Sequence, residues 1–465
     1  MKNKPQDIFE PTIPVVPKDW DVLRFEQTAD VVADKGKRVK QRDYLPVGKL
    51  PVIDQGQDFI GGYTDDESMA FEGRLPVILF GDHTRSIKYV DRPFAVGADG
   101  VKILKPTDAF YPKYFYYLLR SLQIPSRGYS RHFQFLRKFH LPRAPEEQQI
   151  RIVAEIERQF SRLDEAVANL KRVKANLKRY KAVVLKAAVE GRLVETEAEL
   201  ARHEGRSYET GAQLLQRILE TRRRQWKGKG KYKEPAAPDM ADLPELPEGW
   251  VWARLDAIAV LKGGIAVDST RKDSTARSVP YLRVANVQRG YLNLSEVKFI
   301  DAPESDINDL RLQRGDILFN EGGDRDKLGR GWIWEGQLAD CIHQNHVFRA
   351  RLFVNDLSPK LVSWWGNTFG KDYFLREGKQ TTNLASINLT KLSAFPVPLP
   401  PAAEQLRLVA EVDRRLSLVT EIETQVDANH KRAERMRQSI LASAFAGSLL
   451  RGLVGESSAL RREMA

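Results

Sequence analysis

Two sets of polar side chains in this sequence have the chemistry needed to bind DNA bases and phosphates. The first set lies in the amino-terminal third and consists of Lys35, Lys37, Arg38, Lys40, Arg42, His83, Thr84, Arg85, Ser86, Arg127, Tyr129, Arg131 and His132. The second set consists of Arg271, Lys272, Arg277, Asn320, Arg325, Lys327, Gln344, Asn345, Gln380, Thr381, Thr382 and Asn383. Arginine and lysine bind guanine edges and phosphates, and asparagine and glutamine bind adenine edges. A single loop residue is more often simply solvated, so the prediction of DNA contact depends on the clusters.

Motifs for catalysis or cofactor binding are missing from the sequence. It contains no Gly-x-x-x-x-Gly-Lys-Ser/Thr phosphate loop, no Gly-x-Gly-x-x-Gly after a strand, and no Asn/Asp-Pro-Pro-aromatic tetrapeptide of amino-methyltransferases. His343 and His346 have the spacing of a metal pair, but Asp340 is the only acidic residue close to them, so we interpret both as loop or strand histidines. Cys341 is the single cysteine and can form neither an intrachain disulfide nor a zinc cluster. We therefore expect a non-catalytic chain without a metal or cofactor of its own.

Bulk properties favour a multidomain partner of a polyanion. The 465 residues exceed what one hydrophobic core accommodates, and the net charge of +12 with a pI near 9.5 favours nucleic acid. Charge alone would fit a ribosome-binding or membrane-surface protein almost equally well. No apolar run reaches the 18 residues of a membrane span, and the polar start from Met1 to Glu10 lacks a signal-peptide core. These features predict a cytoplasmic protein.

The elements that must position the polar sets form an internal repeat. Residues 142–194 align without a gap with residues 398–450, and each segment predicts a long amphipathic helix. The first helix should begin after Pro145 and end at Gly191, and the second should begin after Pro401 and end at Gly447. At 1.5 Å per residue, a helix of about 45 residues spans roughly 65 Å.

Apolar residues recur along both helices at alternating spacings of three and four, which is typical of a coiled-coil seam. The residues expected to pack the two helices together are Val153, Ile156, Phe160, Leu163, Leu170, Leu177, Val409, Val412, Leu416, Val419, Val426 and Ile440. The seam of the second helix is also expected to include Leu406, Ile422, Asn429 and Met436. Because each helix follows a globular segment, we expect an antiparallel pair with one globular segment at each end and an approximate two-fold axis.

The repeat defines a five-part plan of the α/β (α+β) class. The expected parts are a first globular domain (1–144), a long helix (145–194), a connector with a short helix and a basic linker (195–242), a second globular domain (243–400) and a second long helix (401–465). Both globular segments open with a Pro-x-x-Trp element, at Trp20 and Trp250, and continue with strand-like runs. The second globular segment should therefore repeat the fold of the first with different loops.

This arrangement resembles the specificity subunits of type I restriction–modification systems over nearly the whole chain. The resemblance is carried by the Pro-x-x-Trp openings, by Gly81-Asp82-His83-Thr84 through Asp99-Gly100-Val101-Lys102-Ile103-Leu104, by Gln149-x-Arg151-Ile152-Val153-Ala154-Glu155 with its counterpart Gln405-x-Arg407-Leu408-Val409-Ala410-Glu411, by Ala188-x-x-Gly191-x-Leu193, and by the Leu243–Trp250 entry. The second globular segment departs from the pattern at 320–327, where Gly-Asp-His-Thr is lost.

The resemblance implies two target-recognition domains that each read one half of a split, asymmetric site in double-stranded DNA. It implies that the helix pair sets the spacer and binds two adenine methyltransferase (M) subunits, which carry S-adenosylmethionine, and that restriction (R) subunits using ATP and Mg join them. A coiled-coil adaptor without DNA recognition is the alternative interpretation of the same pattern. A free-standing modification enzyme is a further alternative, against which the missing cofactor loops argue.

Overall fold

A computed structural model describes residues 9–98, 100–128, 130–228, 230–266, 276–323, 327–380 and 385–450. Their contacts divide the chain into two compact units. Unit 1 contains the described residues up to Val173 and those from Gln425 onward, and unit 2 contains those from Lys174 to Thr424. The division falls within the two long helices, whereas the sequence plan treated each helix as a part of its own.

Unit 1 begins with a mostly β segment followed by two short helices. Its strands are β1 (Asp21–Arg24), β2 (Ala29–Val32), β3 (Arg38–Val39), β4 (Leu50–Ile53), β5 (Gly62–Thr64), β6 (Val77–Gly81), β7 (Ile87–Val90), β8 (Ala95–Gly97), β9 (Val101–Pro106) and β10 (His140–Arg143). Its short helices are α1 (Pro112–Ser121) and α2 (Phe133–Leu136), and the long helix α3 (Glu146–Val189) begins in this unit.

Two four-stranded sheets carry the fold of unit 1. One has the order β2-β9-β6-β7 and is antiparallel throughout, and the other has the order β3-β8-β4-β5 with parallel pairs on both sides of β8. All five residues of β6 are buried, which explains its unbroken apolar sequence. Strand β1 pairs with β10, so the opening of the segment is hydrogen-bonded to its end just before α3 begins.

Unit 2 contains two connector helices and a second mixed segment. The helices are α4 (Glu197–Glu204), α5 (Gly211–Arg224), α6 (Leu255–Ile258), α7 (Glu304–Leu310), α8 (Pro359–Thr368), α9 (Gly370–Glu377), α10 (Leu389–Ser393) and the start of α11 (Ala402–Phe445). The strands are β11 (Val251–Arg254), β12 (Ala259–Lys262), β13 (Arg277–Leu282), β14 (Val287–Gln288), β15 (Tyr291–Leu292), β16 (Lys298–Ala302), β17 (Ile317–Asn320), β18 (Gly322–Gly323), β19 (Gly331–Ile333), β20 (Ile342–His343), β21 (Val347–Leu352), β22 (Lys379–Gln380), β23 (Ala385–Ser386) and β24 (Pro396–Leu399).

One sheet of unit 2 repeats the strand order of a sheet of unit 1, whereas its other sheets, β16-β13-β20, β14-β15 and β18-β23-β22, differ from β3-β8-β4-β5. The sheet β12-β21-β17-β19 is antiparallel like β2-β9-β6-β7, and β11 pairs with β24 as β1 pairs with β10. Helices α1 and α8 occupy the same place in chain order, and each has proline in its first turn. The expectation of one mixed α/β fold used twice is confirmed.

Both long helices start and end where the proline and glycine positions predict. Gly191 and Gly447 follow their carboxyl ends with φ of +67° and +73°, a left-handed conformation that glycine adopts without steric cost. At the other end a buried glutamine ties each helix to its unit. Gln149 accepts the Tyr111 backbone N–H at 2.7 Å, and Gln405 accepts that of Ser358 at 2.9 Å. These two N–H groups belong to the residues that precede α1 and α8.

Within each unit the two long helices run antiparallel. In unit 1 the ring of Phe160 lies 5.3 Å from the Arg437 guanidinium, and Asp164 pairs with the same arginine. Further along the pair, Ile152 and Ala444 line the same cleft. In unit 2 Lys181 Nζ lies 2.8 Å from Glu423. The direction of the expected pairing is therefore present in both units.

The packing residues differ in burial along the helices. Val153, Ile156 and Phe160 join the core of unit 1 with Ile440, and Val412 joins that of unit 2, with Val409 and Leu416 packed beside it. Leu163, Leu170 and Leu177 are half-buried. Buried residues of α11 recur every seven positions, which is the spacing of one coiled-coil core position. These residues are Val412, Val419, Val426, Ala433 and Ile440.

Part of the expected seam of α11 is wrong. Leu406 is 74% exposed and Leu408 is buried in its place, because the first turn of α11 packs against the globular part of unit 2 through Gln405. Ile422, Asn429 and Met436 also face solvent. A helix of 3.6 residues per turn drifts relative to a strict heptad, so short apolar spacings do not by themselves locate the buried face.

The connector contains one helix that was predicted and one that was not. The expected helix between Tyr208 and Trp226 is α5, capped by Thr210. The acidic stretch before it forms α4, where Thr196 and Glu199 make a capping box. Among helices of the described residues, none combines the length and hydropathy that a bilayer-spanning segment requires.

Candidate nucleic-acid interface

The polar loops of unit 1 converge at the end of β6. The backbone N–H of Asp82 donates to Gly100 O at 2.6 Å, and its backbone oxygen accepts the N–H of His132 at 2.7 Å. The Asp82 carboxylate also accepts the Phe133 N–H at 2.8 Å. A single buried aspartate thus joins the 81–86 loop, the start of β9 and the 127–132 loop into one surface.

His132 holds this surface together and does not present its ring to solvent. It is 1% exposed, and its Nδ1 lies 2.9 Å from Asp82 O while its Nε2 lies 3.3 Å from the backbone N of Arg127. The prediction that His132 contacts DNA is therefore wrong, because a buried ring with both nitrogens engaged has no access to a base edge. Its neighbours Arg127 and Arg131 are exposed.

Gln55 is a residue of this surface that the sequence prediction missed. Its backbone oxygen accepts the Thr84 and Ser86 hydroxyls at 2.5 and 2.8 Å, and its side-chain oxygen accepts the His83 N–H at 3.1 Å. The hydroxyls of Thr84 and Ser86 therefore order the loop. Gln55 lies two residues after β4 in a glutamine- and glycine-rich stretch, which is the signal that could have revealed it.

His83 and Arg85 complete the loop after β6. His83 is half-buried with Nδ1 3.2 Å from Ser130 O, which adds a second link to the 127–132 loop. Arg85 has a φ of +61° and donates from its guanidinium to Ile124 O at 2.9 Å. A left-handed backbone at a residue other than glycine is costly, so the surrounding hydrogen bonds hold this turn in one conformation.

The basic cluster of 35–42 is partly neutralised by acidic partners. Lys35 and Lys37 both bind Glu72, at 2.8 and 2.5 Å, and these hydrogen bonds lower the pKa of Glu72 to about 2. Arg38 pairs with Asp34 and donates to Val101 O at 3.1 Å. Lys40 and Arg42 are exposed, and Asp43 lies 3.6 Å from Arg42. Lys40 and Arg42 are thus the cations of this cluster least bound by neighbours.

In unit 2 the corresponding surface gathers around 344–346. Asn345 donates its backbone N–H to Ile265 O, Gln344 donates its own to Leu282 O, and Glu321 donates to His346 O, each at 2.9 Å. Strand β18 beside Glu321 pairs with β23, which in turn pairs with β22 that contains Gln380. The structure therefore brings the segments of Gln344, Asn345 and Gln380 together with strand β18.

Two predicted contacts in unit 2 are held by protein partners. Asn320 is fully buried, and its Nδ2 donates to Val287 O at 2.9 Å, so it supports the β14 region and the prediction that it contacts DNA is wrong. Arg277 is exposed but lies between Glu304 at 2.8 Å and Asp340 at 2.9 Å, which partly neutralise its charge. In the sequence both sit in polar loops, and only the tertiary contacts reveal their partners.

The two histidines with the spacing of a metal pair differ in burial. His343 is buried on β20 with Nδ1 2.6 Å from Val347 O, whereas His346 is exposed and binds Glu321. In the described ranges, no group of three or more metal-ligating side chains comes together.

The predicted contacts that lie outside the described residues are Tyr129, Arg271, Lys272, Arg325, Thr381, Thr382 and Asn383, and Asp99 of the family pattern lies there too.

The sequence is similar to curated specificity subunits of type I restriction enzymes. The EcoKI specificity subunit of Escherichia coli K12 is 27% identical over 183 residues, which is 39% of each chain. The putative MjaX specificity subunit of Methanocaldococcus jannaschii is 24% identical over 202 residues, covering 43% of this chain and 47% of that protein. These matches thus span less than half the length of either relative. No protein-family model matches the sequence.

A solved structure shares the fold along most of the chain. It belongs to work on complex assembly and conformational transition of the type I R–M system, and it superimposes with a TM-score of 0.55 at 17% identity over 93% of this chain and 99% of its own. The curated relatives and the shared fold agree with the resemblance that the sequence indicated. This chain is a homologue of type I restriction enzyme specificity subunits.

Proposed function

We propose that this chain is the sequence-specific DNA-binding subunit of a type I restriction–modification complex and that it catalyses no reaction itself. The observation that carries the proposal is the unequal repeat. Units 1 and 2 share the strand order of one sheet, the helix anchors and the proline-started helices, yet their loop tips contain different polar residues. A repeated scaffold with unlike tips suits the reading of two different half-sites in one asymmetric DNA site.

Each loop surface would enter a major groove and bind base edges with its exposed polar groups. In unit 1 the exposed arginines Arg127 and Arg131 would contact guanine or phosphate. In unit 2 the amides of Gln344 and Asn345 would favour adenine. A good bidentate contact contributes about 1–3 kcal/mol of discrimination between bases. Buried groups such as Asp82 and His132 would hold the loops in the conformation that binds, which lowers the entropic cost of binding.

The proposed partners are those that the resemblance to type I specificity subunits implies. Two adenine methyltransferase subunits would bind the helical regions and bring S-adenosylmethionine, and restriction subunits would bring ATP and Mg. The complex would act on DNA in the cytoplasm, in defence against phage. Helices α3 and α11 each contribute residues to both units, and we propose that their length sets the spacer between the half-sites.

The decisive experiment starts from the host genome. Adenine methylation is mapped with and without the gene for this chain, and the motif that disappears identifies the split site. The purified chain is then titrated with a duplex containing that site and with a matched duplex in which one half-site is scrambled. We expect binding to the intact site to be at least about a thousandfold tighter than to random duplex at the same salt.

The same experiment includes the outcomes that would contradict the proposal. If every methylation motif persists without the gene and the chain binds intact and scrambled duplexes with equal affinity, sequence recognition is ruled out. An absence of salt-dependent binding to any duplex would point to a coiled-coil adaptor instead. Methyl transfer by the isolated chain would show that it is a modification enzyme.

A further inference from the structure

Unit 2 holds the connector helix α4 against the start of α11 through two buried carboxylates. Glu404 accepts the Trp250 Nε1–H at 2.9 Å with one oxygen and the backbone N–H of Glu197 at 2.9 Å with the other. The Glu197 carboxylate accepts from Arg407 at 2.5 Å and from Arg206 at 2.6 Å. Since Glu197 is the first residue of α4, these bonds fix the helix where it begins.

The charges of this network are matched. Burial opposes ionisation of Glu197, but the hydrogen bonds and charges of Arg407 and Arg206 outweigh burial and lower its pKa. Burial raises the pKa of Glu404. A carboxylate that is removed from water is tolerated when arginine satisfies it. The arginine at position 407 is therefore the feature that allows an acidic helix start to bind here.

Unit 1 contains the repeat-related residues in the same arrangement. Trp20 donates Nε1–H to Gln148 Oε1 at 2.9 Å, as Trp250 does to Glu404. Gly447 lies against Pro17, so that a Cβ there would be 2.3 Å from the proline Cγ, and Gly191 lies in the same way against Pro247 at 2.5 Å. The two clusters are thus equivalent in sequence position and in packing.

In unit 1 these residues line a cleft of about 290 Å³. Its lining includes Trp20, Gln148, Arg151, Ile152, Gly447 and Leu450. Arg151 aligns with Arg407 in the repeat, and among the described residues it is exposed without an ion pair or hydrogen bond. Asp19 is held by Gln148 Nε2 at 2.7 Å, and its carboxylate can accept a backbone N–H as Glu404 does in unit 2.

The order of segments along the chain indicates which segment occupies this cleft. Leu450 lines the cleft and aligns with Val194, and in unit 2 the residues that follow Val194 lead directly into α4. In unit 1 the residues that follow Leu450 are 451–465, among which Glu456 is the first acidic residue. We propose that segment 451–465 binds the cleft with the Glu456 carboxylate on the Arg151 guanidinium. Each long helix then has its start covered by the chain that follows the other long helix.

Cysteine cross-linking in the full chain tests this proposal. Gln148, which lines the cleft, is replaced by cysteine together with Ser457→Cys, so that Arg151 and Glu456 stay in place. The matched control combines Gln159→Cys with Ser457→Cys, because Gln159 is also half-buried on α3 and lies about 16 Å further along the helix. Native Cys341 is buried and does not compete. We expect an intramolecular disulfide to form about tenfold faster in the Gln148 pair, because binding raises the local concentration of the two thiols.

Each other outcome overturns the proposal. Equal rates in both pairs, or no disulfide in either, would mean that the segment does not bind the cleft. A disulfide that links two chains would assign the cleft to a second copy. Tryptic cleavage after Arg461 and Arg462 adds a measurement without cysteines. It should become about tenfold faster in Arg151→Glu and return toward the native rate in Arg151→Glu/Glu456→Arg, since local opening controls cleavage. A native rate in Arg151→Glu would contradict the assignment.

Discussion

Gln149 Oε1 accepts the backbone N–H of Tyr111 at 2.7 Å and so joins the first turn of α3 to the start of α1. Its Nε2 donates to Ala144 O at 2.8 Å and Ala109 O at 3.0 Å. Gln405 repeats the arrangement with Ser358 and Pro400 O. One buried amide in each unit therefore satisfies backbone groups of two separate segments and fixes where the long helix leaves the globular part.

The first prediction concerns this anchor. Gln149→Met removes the acceptor and both donor hydrogens while keeping the volume, and it leaves the Tyr111 N–H and two carbonyls without partners. We expect the free energy of unfolding to fall by about 2–4 kcal/mol, measured by urea denaturation. Glu147→Gln, at an exposed position of the same turn, is the matched control and should lower it by less than about 1 kcal/mol, because it removes only one exposed carboxylate from the helix N-terminus. An unchanged midpoint for Gln149→Met would mean that the anchor does not stabilise unit 1.

The second prediction separates contact from support at neighbouring residues. Arg131→Ala should leave unfolding unchanged and weaken binding to the specific duplex, because Arg131 is exposed. His132→Ala should lower the free energy of unfolding by about 1–3 kcal/mol, because it removes the ring's hydrogen bonds to Asp82 O and to the Arg127 backbone N–H. Hydrogen exchange at residues 127–133 should then accelerate. The assignment fails if His132→Ala binds DNA weakly but unfolds and exchanges like the native chain.

The third prediction uses the salt dependence of DNA binding, and it depends on the proposed function. Arg42→Ala should reduce the slope of log affinity against log salt by about 0.9, the value for one phosphate contact. Arg277→Ala should leave that slope unchanged, because Glu304 and Asp340 already neutralise this side chain. Both residues are arginines in predicted DNA-contacting loops, so each serves as the control of the other. Equal slopes in the two variants would refute the distinction between them.

The fourth prediction concerns stability in mild acid. Burial lowers the pKa of His343 to about 4, while a histidine in an unfolded chain titrates near pH 6.5. Between these values the unfolded chain takes up a proton that the folded chain does not. The free energy of unfolding is therefore highest above about pH 6.5. It decreases as the pH falls toward 4, by roughly 3 kcal/mol at most.

His343→Gln should reduce the loss of unfolding free energy between pH 7 and pH 5, as measured by urea denaturation at both values. His346→Gln is the control, since His346 is exposed three residues further along the chain. The buried, neutral state of His343 would be refuted by an identical pH dependence in His343→Gln and the native chain.

The local sequence was sufficient for elements that depend on nearby residues. Proline and glycine mark the ends of α3 and α11 because proline lacks the backbone N–H that a helix interior requires and glycine adopts positive φ without cost. The apolar run of β6 is also visible in the local sequence, because all residues of this strand are buried. Helix α4 was missed although Thr196 and Glu199 form a capping box, because its buried face consists of Ala198, Ala201 and the charged Glu197.

The candidate site was only partly predictable. The clusters 81–86, 127–132 and 344–346 were named from residue type. The structure joins 81–86 to 127–132 at Asp82 in unit 1 and places β18 beside 344–346 in unit 2. Which side chains remain exposed depends on contacts between residues far apart in the chain. Arg277 with Asp340, His132 with Asp82 and Asn320 with Val287 have no signature in local spacing.

The sequence by itself determined that the chain contains two copies of one α/β plan, each followed by a long helix, since repetition and periodicity are properties of residue order. The tertiary structure alone decided which polar residues support the loops and which remain free to bind. It also decided which face of α11 is buried. The physical reason is that burial and hydrogen-bond satisfaction depend on all segments that meet at a point, and residue order does not specify those segments one at a time.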